Sequence, residues 1–478
     1  MSLKIHNTIA REKQDFVPLD DQNVRMYVCG PTVYDNIHIG NARPLVIFDV
    51  LYRLLKRLYP KVTYARNITD VEDKINDRAK ELGVDIRTLT EQTAERFHAD
   101  AAALGVLGPD VEPRATDHIP EMIALMERLI ASGHAYEADG HVLFNVPSMP
   151  DYGGLSRHSR DALIAGARVD VAPYKRDPAD FVLWKPSEEG VPGWDSPWGR
   201  GRPGWHIECS AMSQKHLGED FDIHGGGQDL IFPHHENEIA QSRCGNPGSH
   251  FAKYWMHNGY LMSEGEKMSK SLGNFYTVAE LLEEFPGEAL RLVLLQTHYR
   301  APLDFTKDGV RQAKVRLDRL YRARALVEKH ESKGIIISEL DCEFTDALED
   351  DLNTALAISI LEKQARKILS SDATEMAQLG VSYLENARQL GLLEADSNRW
   401  FKGVAVKLTA GTGEGVADGF SAEVNTGLTE DQIDDLVAKR TEARDAKDFA
   451  ESDRIRDELA EAGIVLEDKP EGTIWRRV

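Results

Sequence analysis

Two lysines and two serine hydroxyls stand in one short run, Lys267-Met268-Ser269-Lys270-Ser271, followed by Leu272-Gly273-Asn274. On a polar, glycine-flanked loop, such residues suit a clamp on a triphosphate, with the lysines neutralising charge on a departing pyrophosphate. The plainer alternative is a solvated surface loop. A second cluster is His38-Ile39-Gly40-Asn41. At a helix start, free N–H groups and the positive end of the dipole attract phosphate. Gly40 would let a ligand approach the backbone, and His38 could donate to a phosphate oxygen; alone, the four residues read equally as a loop histidine beside a helix cap. A third is His224-Gly225-Gly226-Gly227-Gln228-Asp229. Its glycines, Gly226 among them, would let the chain pass close to a flat ligand, with Asp229 accepting from a ribose hydroxyl. A tight structural turn explains the same glycines.

Cys29, Cys209 and the run His234-His235-Glu236-Asn237-Glu238 form a soft-metal set. Thiolate, imidazole and carboxylate together suit four-coordinate Zn²⁺. On a helix His234 and Glu238, four apart, share a face. His235 is three from Glu238, so spacing leaves the histidine undecided. Against a metal stand two bland readings: buried cysteines as small apolar residues, and a histidine pair that merely starts a helix after Pro233.

Elements must hold these residues in place. Met26-Tyr27-Val28-Cys29 is a short apolar run ending at Gly30-Pro31, and Leu45, Phe48, Leu51, Tyr52 and Leu55 then recur at helical spacing. Val62-Thr63-Tyr64-Ala65 reads as a second strand, with Asp70 and Asp73 at the next helix start. Strand, loop, helix, strand is a βαβ unit, which predicts an α/β fold with a parallel sheet and its site at the strands' carboxyl ends. From His134 to Gly204 the chain becomes rich in Pro, Gly and Trp, as an insertion would; the sheet resumes near Phe221-Asp222-Ile223. From about Thr306 to Trp400 the pattern is helical, with Glu349, Asp350 and Asp351 as a solvated acidic face. Gly411 to Gly427 reads as a flexible linker. After it, Leu428–Ala446 and Phe449–Ala462 read as helices, and Ile464–Leu466 and Thr473–Trp475 as a hairpin.

The 478 residues suit about three domains, and 42% hydrophobic residues suffice for packed cores. Lys and Arg total 57 against 79 Asp and Glu, a formal charge of −22. Any RNA-binding surface must therefore be local, and its binding should weaken steeply with salt. Four scattered cysteines argue against a disulfide framework. Met1–Lys13 has no apolar signal core, and no apolar run approaches the roughly 18 residues that cross a bilayer. The reading is a reduced, cytoplasmic protein.

Together these motifs resemble the class I aminoacyl-tRNA synthetases, and within them the cysteinyl family. His38-Ile39-Gly40-Asn41 resembles the His-Ile-Gly-His signature, and Lys267 to Ser271 matches Lys-Met-Ser-Lys-Ser throughout. Gly204-Trp205-His206-Ile207-Glu208-Cys209-Ser210-Ala211-Met212 and Phe221 through Glu238 are similar to the cysteinyl family's zinc segments. The likeness runs from Met26 to Arg477. It implies a Rossmann-type catalytic domain in two halves (1–120 and 205–255) split by a connective insertion (121–204). A stem-contact region with the lysine loop (256–305), a helical bundle (306–410), a linker (411–427) and a small α+β anticodon-binding module (428–478) would follow.

The resemblance also implies Zn²⁺ on Cys29, Cys209, His234 and Glu238. ATP, with Mg²⁺, would be held by Pro31, Thr32, His38, Gly40, Asn41, Gly226, Asp229, Lys267, Met268, Ser269, Lys270 and Ser271, with His38, Lys267 and Lys270 catalytic. Thr69 and Trp205 would line the amino-acid pocket, Trp205 having a core aromatic as its alternative. Arg444, Phe449, Asp453 and Asp468 would touch the anticodon of tRNA-Cys, with Trp475 packing the module's core. The expected enzyme is a monomeric cysteine–tRNA ligase that rejects serine at activation and has no editing site. Two positions depart from the family pattern: Asn41 replaces the second histidine of the first signature, and Phe449 replaces an expected tryptophan. A small-molecule cysteine ligase on the same scaffold would have no need of the last module. A non-catalytic RNA-binding relative would have no need of the lysine loop and metal set.

Overall fold

The central sheet forms where the apolar runs predict it. The computed structural model describes residues 2–157, 172–266, 268–269, 272–330, 342–402, 405–407, 420–422, 430–469 and 472–477. A hairpin, β1 (Lys4–Asn7) and β2 (Glu12–Asp15), precedes β3 (Val24–Val28), α1 (Ile39–Leu58) and β4 (Val62–Arg66). Then come α2 (Asp73–Leu82), α3 (Ile86–Ala103) and α4 (Ile119–Ala131). The insertion is a four-stranded antiparallel sheet of β5 (Ala135–Ala138), β6 (His141–Phe144), β7 (Phe181–Pro186) and β8 (Gly201–Pro203). The chain returns through α5 (Trp205–Leu217), β9 (Phe221–Gly227), α6 (Glu236–Gly245) and β10 (Ala252–Asn258).

The four parallel strands lie in the order β10-β9-β3-β4. Both faces are covered, as parallel sheets require. Met26 and Val28 of β3 join the core on the α1 side, whereas Tyr27 joins the core built with α4 and α5. The strand order turns back between β3 and β9, and a parallel sheet opens a crevice at such a switch point, beyond the strands' carboxyl ends.

After β10 come β11 (Leu261–Ser263), α7 (Val278–Glu284), α8 (Gly287–Leu295) and β12 (Leu303–Phe305), with β11 and β12 paired in parallel. The helical part holds α9 (Lys307–His330), α10 (Cys342–Glu349), α11 (Thr354–Ser370), α12 (Ala373–Gln389) and α13 (Ser397–Lys402). A short pair, β13 (Ala405–Lys407) and β14 (Phe420–Ala422), leads to the end module of α14 (Glu430–Asp445), α15 (Phe449–Glu461), β15 (Ile464–Lys469) and β16 (Gly472–Arg477). Gly463 closes α15 at φ 74°, where glycine carries no Cβ penalty. Trp475 packs this module's core with Ile433, Ile455 and Leu459, as expected. Among the described residues no helix is long and apolar enough to cross a membrane.

Four expectations are corrected. The acidic face at 349–351 is solvated only at Asp350: Glu349 is buried, and Asp351 is fully buried, accepting from the His6 N–H (2.8 Å), the Tyr299 hydroxyl (2.8 Å) and Arg300 (2.7 Å). Burial pairs that carboxylate instead of exposing it. Within the expected linker, Phe420–Ala422 is a strand paired with Ala405–Lys407; residues 411–419 and 423–427 lie outside the described set. Glu72, not Asp70, caps α2, because Asp70 is taken by the Thr116 N–H and hydroxyl (3.0 and 2.7 Å). The glycine run is neither turn nor loop. It is the buried end of β9, where a Cβ on Gly225 would fall 2.3 Å from the Phe48 ring.

Candidate functional site

Cys29 follows β3, Cys209 lies early in α5, His234 precedes α6, and Glu238 sits in that helix's first turn. Although 209 residues separate the first from the last, all four donor atoms lie within 4.8 Å of one another. The Cys29 and Cys209 sulfurs are 3.7 Å apart, Cys29 Sγ is 3.6 Å from Glu238 Oε1, and His234 Nε2 is 3.0 Å from the same oxygen. Bonds of about 2.0–2.3 Å around a tetrahedral ion place donors roughly 3.3–3.8 Å apart, so the donor set fits one soft divalent cation. Its chemistry calls for one. Burial, then the neighbouring Cys209 and Glu238, push the Cys29 thiol up, so packing these acidic groups together leaves their charged forms uncompensated.

Surrounding groups fix the donors' orientation, as outer partners of metal sites do. His224 Nε2 lies 2.8 Å from Glu238 Oε2, leaving Oε1 toward the sulfurs. His234 shares a hydrogen bond with His206 between their Nδ1 atoms (3.0 Å). Burial lowers His234 to about 3 and His206 to about 4, so both rings are neutral and one donates to the other. Cys29 and Glu238 also belong to a second proximate set, with His224 and His235. His235 Nε2 lies 3.4 Å from Cys29 Sγ and 3.9 Å from Glu238 Oε1, farther than His234 from that oxygen, and its Nδ1 is tied to His257 (2.8 Å).

Of the two residues expected to line the amino-acid pocket, Trp205 touches the cluster directly and Thr69 reaches it through Asn67. Trp205 is 39% exposed and stacks on His234 at 4.3 Å and 20°, which sets aside the core-aromatic alternative. Thr69 is buried; its hydroxyl donates to Glu208 (3.0 Å) and accepts from Asn67 (3.2 Å). Asn67 also takes the Gly30 N–H (2.9 Å), and the Thr69 N–H donates to the Pro31 carbonyl (3.1 Å) with Thr32 bridged alongside. A Cβ on Gly30 would meet the Asn67 carbonyl at 1.6 Å, so only glycine allows this approach. His206, Glu208 and His224 stand in the very segments singled out from sequence, but nothing in their spacing marks a positioning role.

At the start of α1, the expectation of free N–H groups is overturned. Ile39 N–H donates to Tyr276 O (3.0 Å), Gly40 N–H to His38 Nδ1 (3.1 Å), and Asn41 and Ala42 N–H to His38 O (2.8 and 3.2 Å). His38 is the cap, so its proton sits on Nε2. Burial lowers its pKa, although Asp229 opposes the shift. The ring is a neutral donor through Nε2. Asn41 Oδ1 accepts from the His38 N–H (3.3 Å), completing a capping box. That position serves the helix end through a neutral amide. Met268 packs over Gly40, where a Cβ would meet its terminal methyl at 2.7 Å, and Ser269 N–H donates to Asn274 (2.8 Å). Lys267, Lys270 and Ser271 lie outside the described residues. Gly226 packs against His235 and Leu230.

In the end module Asp468 is already engaged. Arg440 grips it with both nitrogens (2.9 and 3.1 Å), Arg444 adds a third contact (2.6 Å) and the Thr473 hydroxyl a fourth (2.7 Å). These partners hold its carboxyl well below the usual range. Asp453 pairs with Arg456 (3.1 Å), and Phe449 stands 65% exposed at the start of α15. Sequence reading missed Arg440, buried beneath Asp468.

The model of the class I (C) tRNA synthetase catalytic domain matches residues 15–315, that of the DALR domain 343–394, and that of the cysteinyl-tRNA ligase anticodon-binding domain 426–476. The chain is 59% identical to a cysteine–tRNA ligase of Rhodospirillum rubrum and 58% identical to one of Paramagnetospirillum magneticum, covering all of both chains in each case. Among solved structures it resembles, in fold, Mycobacterium tuberculosis methionyl-tRNA synthetase (TM-score 0.55, 15% identity, 77% of this chain and 89% of that one). LeuRS of Agrobacterium radiobacter K84, solved with tRNA and LeuAMS, gives TM-score 0.57 at 12% identity, over 81% and 86%.

Proposed function

The chain belongs to the cysteine–tRNA ligase family, and from that premise we propose how its residues divide the work of activating cysteine with ATP and transferring it to tRNA-Cys. The observation that carries the reading is the Cys29–Cys209–His234–Glu238 cluster, with Trp205 stacked on His234 and with Asn67, which donates to Thr69, 3.7 Å from Cys209 Sγ. Those four residues hold Zn²⁺. Zinc, when bound, supplies a soft Lewis acid that favours a thiolate over a hydroxyl. Trp205 keeps His234 in plane by stacking. Thr69, its proton committed to Glu208, offers a lone pair to the substrate ammonium.

The substrate carboxylate attacks the α-phosphate of Mg²⁺-bound ATP. His38, fixed as the Nε2–H tautomer by its cap, donates to the phosphate as negative charge grows. Lys267 and Lys270 neutralise the departing pyrophosphate, with Met268, Ser269 and Ser271 shaping their loop. Asp229 takes a ribose hydroxyl; Pro31, Thr32, Gly40, Asn41 and Gly226 line the nucleotide. Residues 256–305 meet the acceptor stem, and 428–478 read the anticodon through Arg444, Phe449, Asp453 and Asp468. The protein works as a cytoplasmic monomer.

The test is ATP–pyrophosphate exchange, followed by charging of tRNA-Cys. Exchange that requires cysteine, with transfer to that tRNA, is expected. Exchange driven by another amino acid, or transfer to a small amine instead of tRNA, would overturn the reading.

A further inference from the structure

Arg43 lies one turn into α1 and is fully buried, yet among the described residues no carboxylate pairs with it. Its two Nη atoms donate to carbonyls alone, and its Nε has no partner among the described residues. Nη1 donates to Gly259 O (2.7 Å) and Tyr260 O (2.8 Å), Nη2 to Ala301 O (2.7 Å) and, more weakly, to His298 O (3.4 Å). A buried cation without a counterion is costly, and its desolvation lowers the pKa to about 10. A fold that needed only packing would place an apolar residue there.

The carbonyls it holds explain its presence. Gly259 and Tyr260 immediately precede β11, and His298 and Ala301 precede β12, so one side chain fastens the starts of both paired strands. β11 leads directly into the segment containing Met268 and Ser269. The other end of that segment is fastened to the same helix start: Ile39 N–H donates to Tyr276 O (3.0 Å) and Val278 N–H to Ile37 O (2.9 Å). Asn274 ties the two limbs together, donating to Ser263 O (3.0 Å) and accepting from Ser269 N–H (2.8 Å). Residues 37–43 therefore anchor both feet of the segment.

We propose that Arg43 is a positioning residue for phosphate chemistry: it sets the upstream foot of segment 261–278 against the helix start that carries His38 and Gly40. It never touches ATP. The inference rests on the reading that this crevice forms cysteinyl-adenylate. A misplacement of about 1 Å can cost about 100-fold in rate, and Arg43's planar fork is what a lysine cannot reproduce.

The experiment is single-turnover formation of adenylate by the full chain, comparing wild type with Arg43→Lys and Asn274→Ala. Both variants should keep a full burst amplitude, one zinc per chain and cysteine affinity within about twofold, while the activation rate falls by about 100-fold for Arg43→Lys. Asn274→Ala, which loosens the tie between the limbs, should lose rate the same way, and supplies the answer if Arg43→Lys does not fold. A wild-type rate in the folded variants would overturn the proposal. So would amplitude lost at an unchanged rate, the mark of a merely structural residue. A wild type inert with cysteine would overturn the parent reading and this inference with it; an active wild type beside an equally fast variant overturns this inference alone.

Discussion

The crevice at the central sheet and the C-terminal module both rely on charged side chains, but they hold them in opposite ways. In the crevice the carboxylates and rings are dry: Glu238, His224 and His235 have no exposed side-chain surface, and each is aimed by another buried group. In the module the Asp468 and Arg444 side chains are 43% and 46% exposed, and Phe449 projects into solvent. A dry, pre-aimed site suits bond making on a small substrate, where electrostatic interactions are strong and reorganisation is costly. Exposed charges and a bare ring suit a large, wet partner met by stacking and exchangeable hydrogen bonds.

The sharpest way to break the comparison is to damage one region and look for effects in the other. Cys209→Ser removes a donor from the dry cluster. Zinc measured by mass spectrometry should fall from about one equivalent per chain to near zero, and activation should drop by at least about 10³-fold, more than the 10–100-fold expected from losing an outer partner. Unfolding of the C-terminal module should be unchanged. Full zinc in the variant would mean that the set with His224 and His235 is the one that binds.

Removing residues 428–478 is the reciprocal cut. Pyrophosphate exchange should stay within about twofold of the full chain, while charging falls by on the order of 10²-fold or more, since each base contact contributes about 1–3 kcal/mol. Parallel loss of both activities would show that the module supports the crevice. A finer cut is Phe449→Ala. Stacking on a base is worth about 1–3 kcal/mol, so kcat/KM for tRNA should fall about 5- to 150-fold with no change in cysteine activation. An unaffected charging rate would leave the exposed ring without a role in RNA binding.

How far these two regions could be read in advance differs for physical reasons. The module's two helices and hairpin were legible in type and order, because they are local and Gly463 lies beside the helix it ends, although each strand runs six residues where three were expected. The parallel sheet was legible from its apolar runs. What stayed hidden depends on partners far along the chain. Asp351 reads as solvated until Tyr299 and Arg300 close on it, and the helix start reads as open until Tyr276 and the His38 ring fill its donors. The glycines of β9 suggested a ligand, yet Gly225 answers to Phe48 of α1. Arg43 carries no local mark at all, since each of its acceptors is a backbone carbonyl at least 216 residues away.

The smallest effect concerns stability in the dry half. Asp100 in α3 is 6% exposed, its carboxyl makes no hydrogen bond among the described residues, and burial raises it to about 7. The folded chain therefore holds a proton that the unfolded chain releases near pH 4, and stability falls as pH rises from about 4 through about 7. Asp100→Asn should be more stable than wild type at pH 8 by roughly 1–3 kcal/mol, less than the about 4 kcal/mol ceiling of the shift because the buried amide also lacks a partner. At pH 4 the two should unfold together. Equal denaturation midpoints at pH 8 would show that this carboxylate finds a partner in solution.

The central claim is that the Cys29–Cys209–His234–Glu238 cluster selects the substrate by its sulfur, so that no second hydrolytic site is needed. Cysteine and serine differ by one atom, and pocket shape alone discriminates such pairs by only about 1–3 kcal/mol. The direct measurement is adenylate formation and ATP turnover by the zinc-loaded full chain with serine at high concentration, tRNA-Cys present, and cysteine as the reference. The account predicts rapid activation of cysteine, no detectable seryl-adenylate, and no tRNA-stimulated ATP consumption. Ready formation of seryl-adenylate followed by tRNA-stimulated hydrolysis would contradict it.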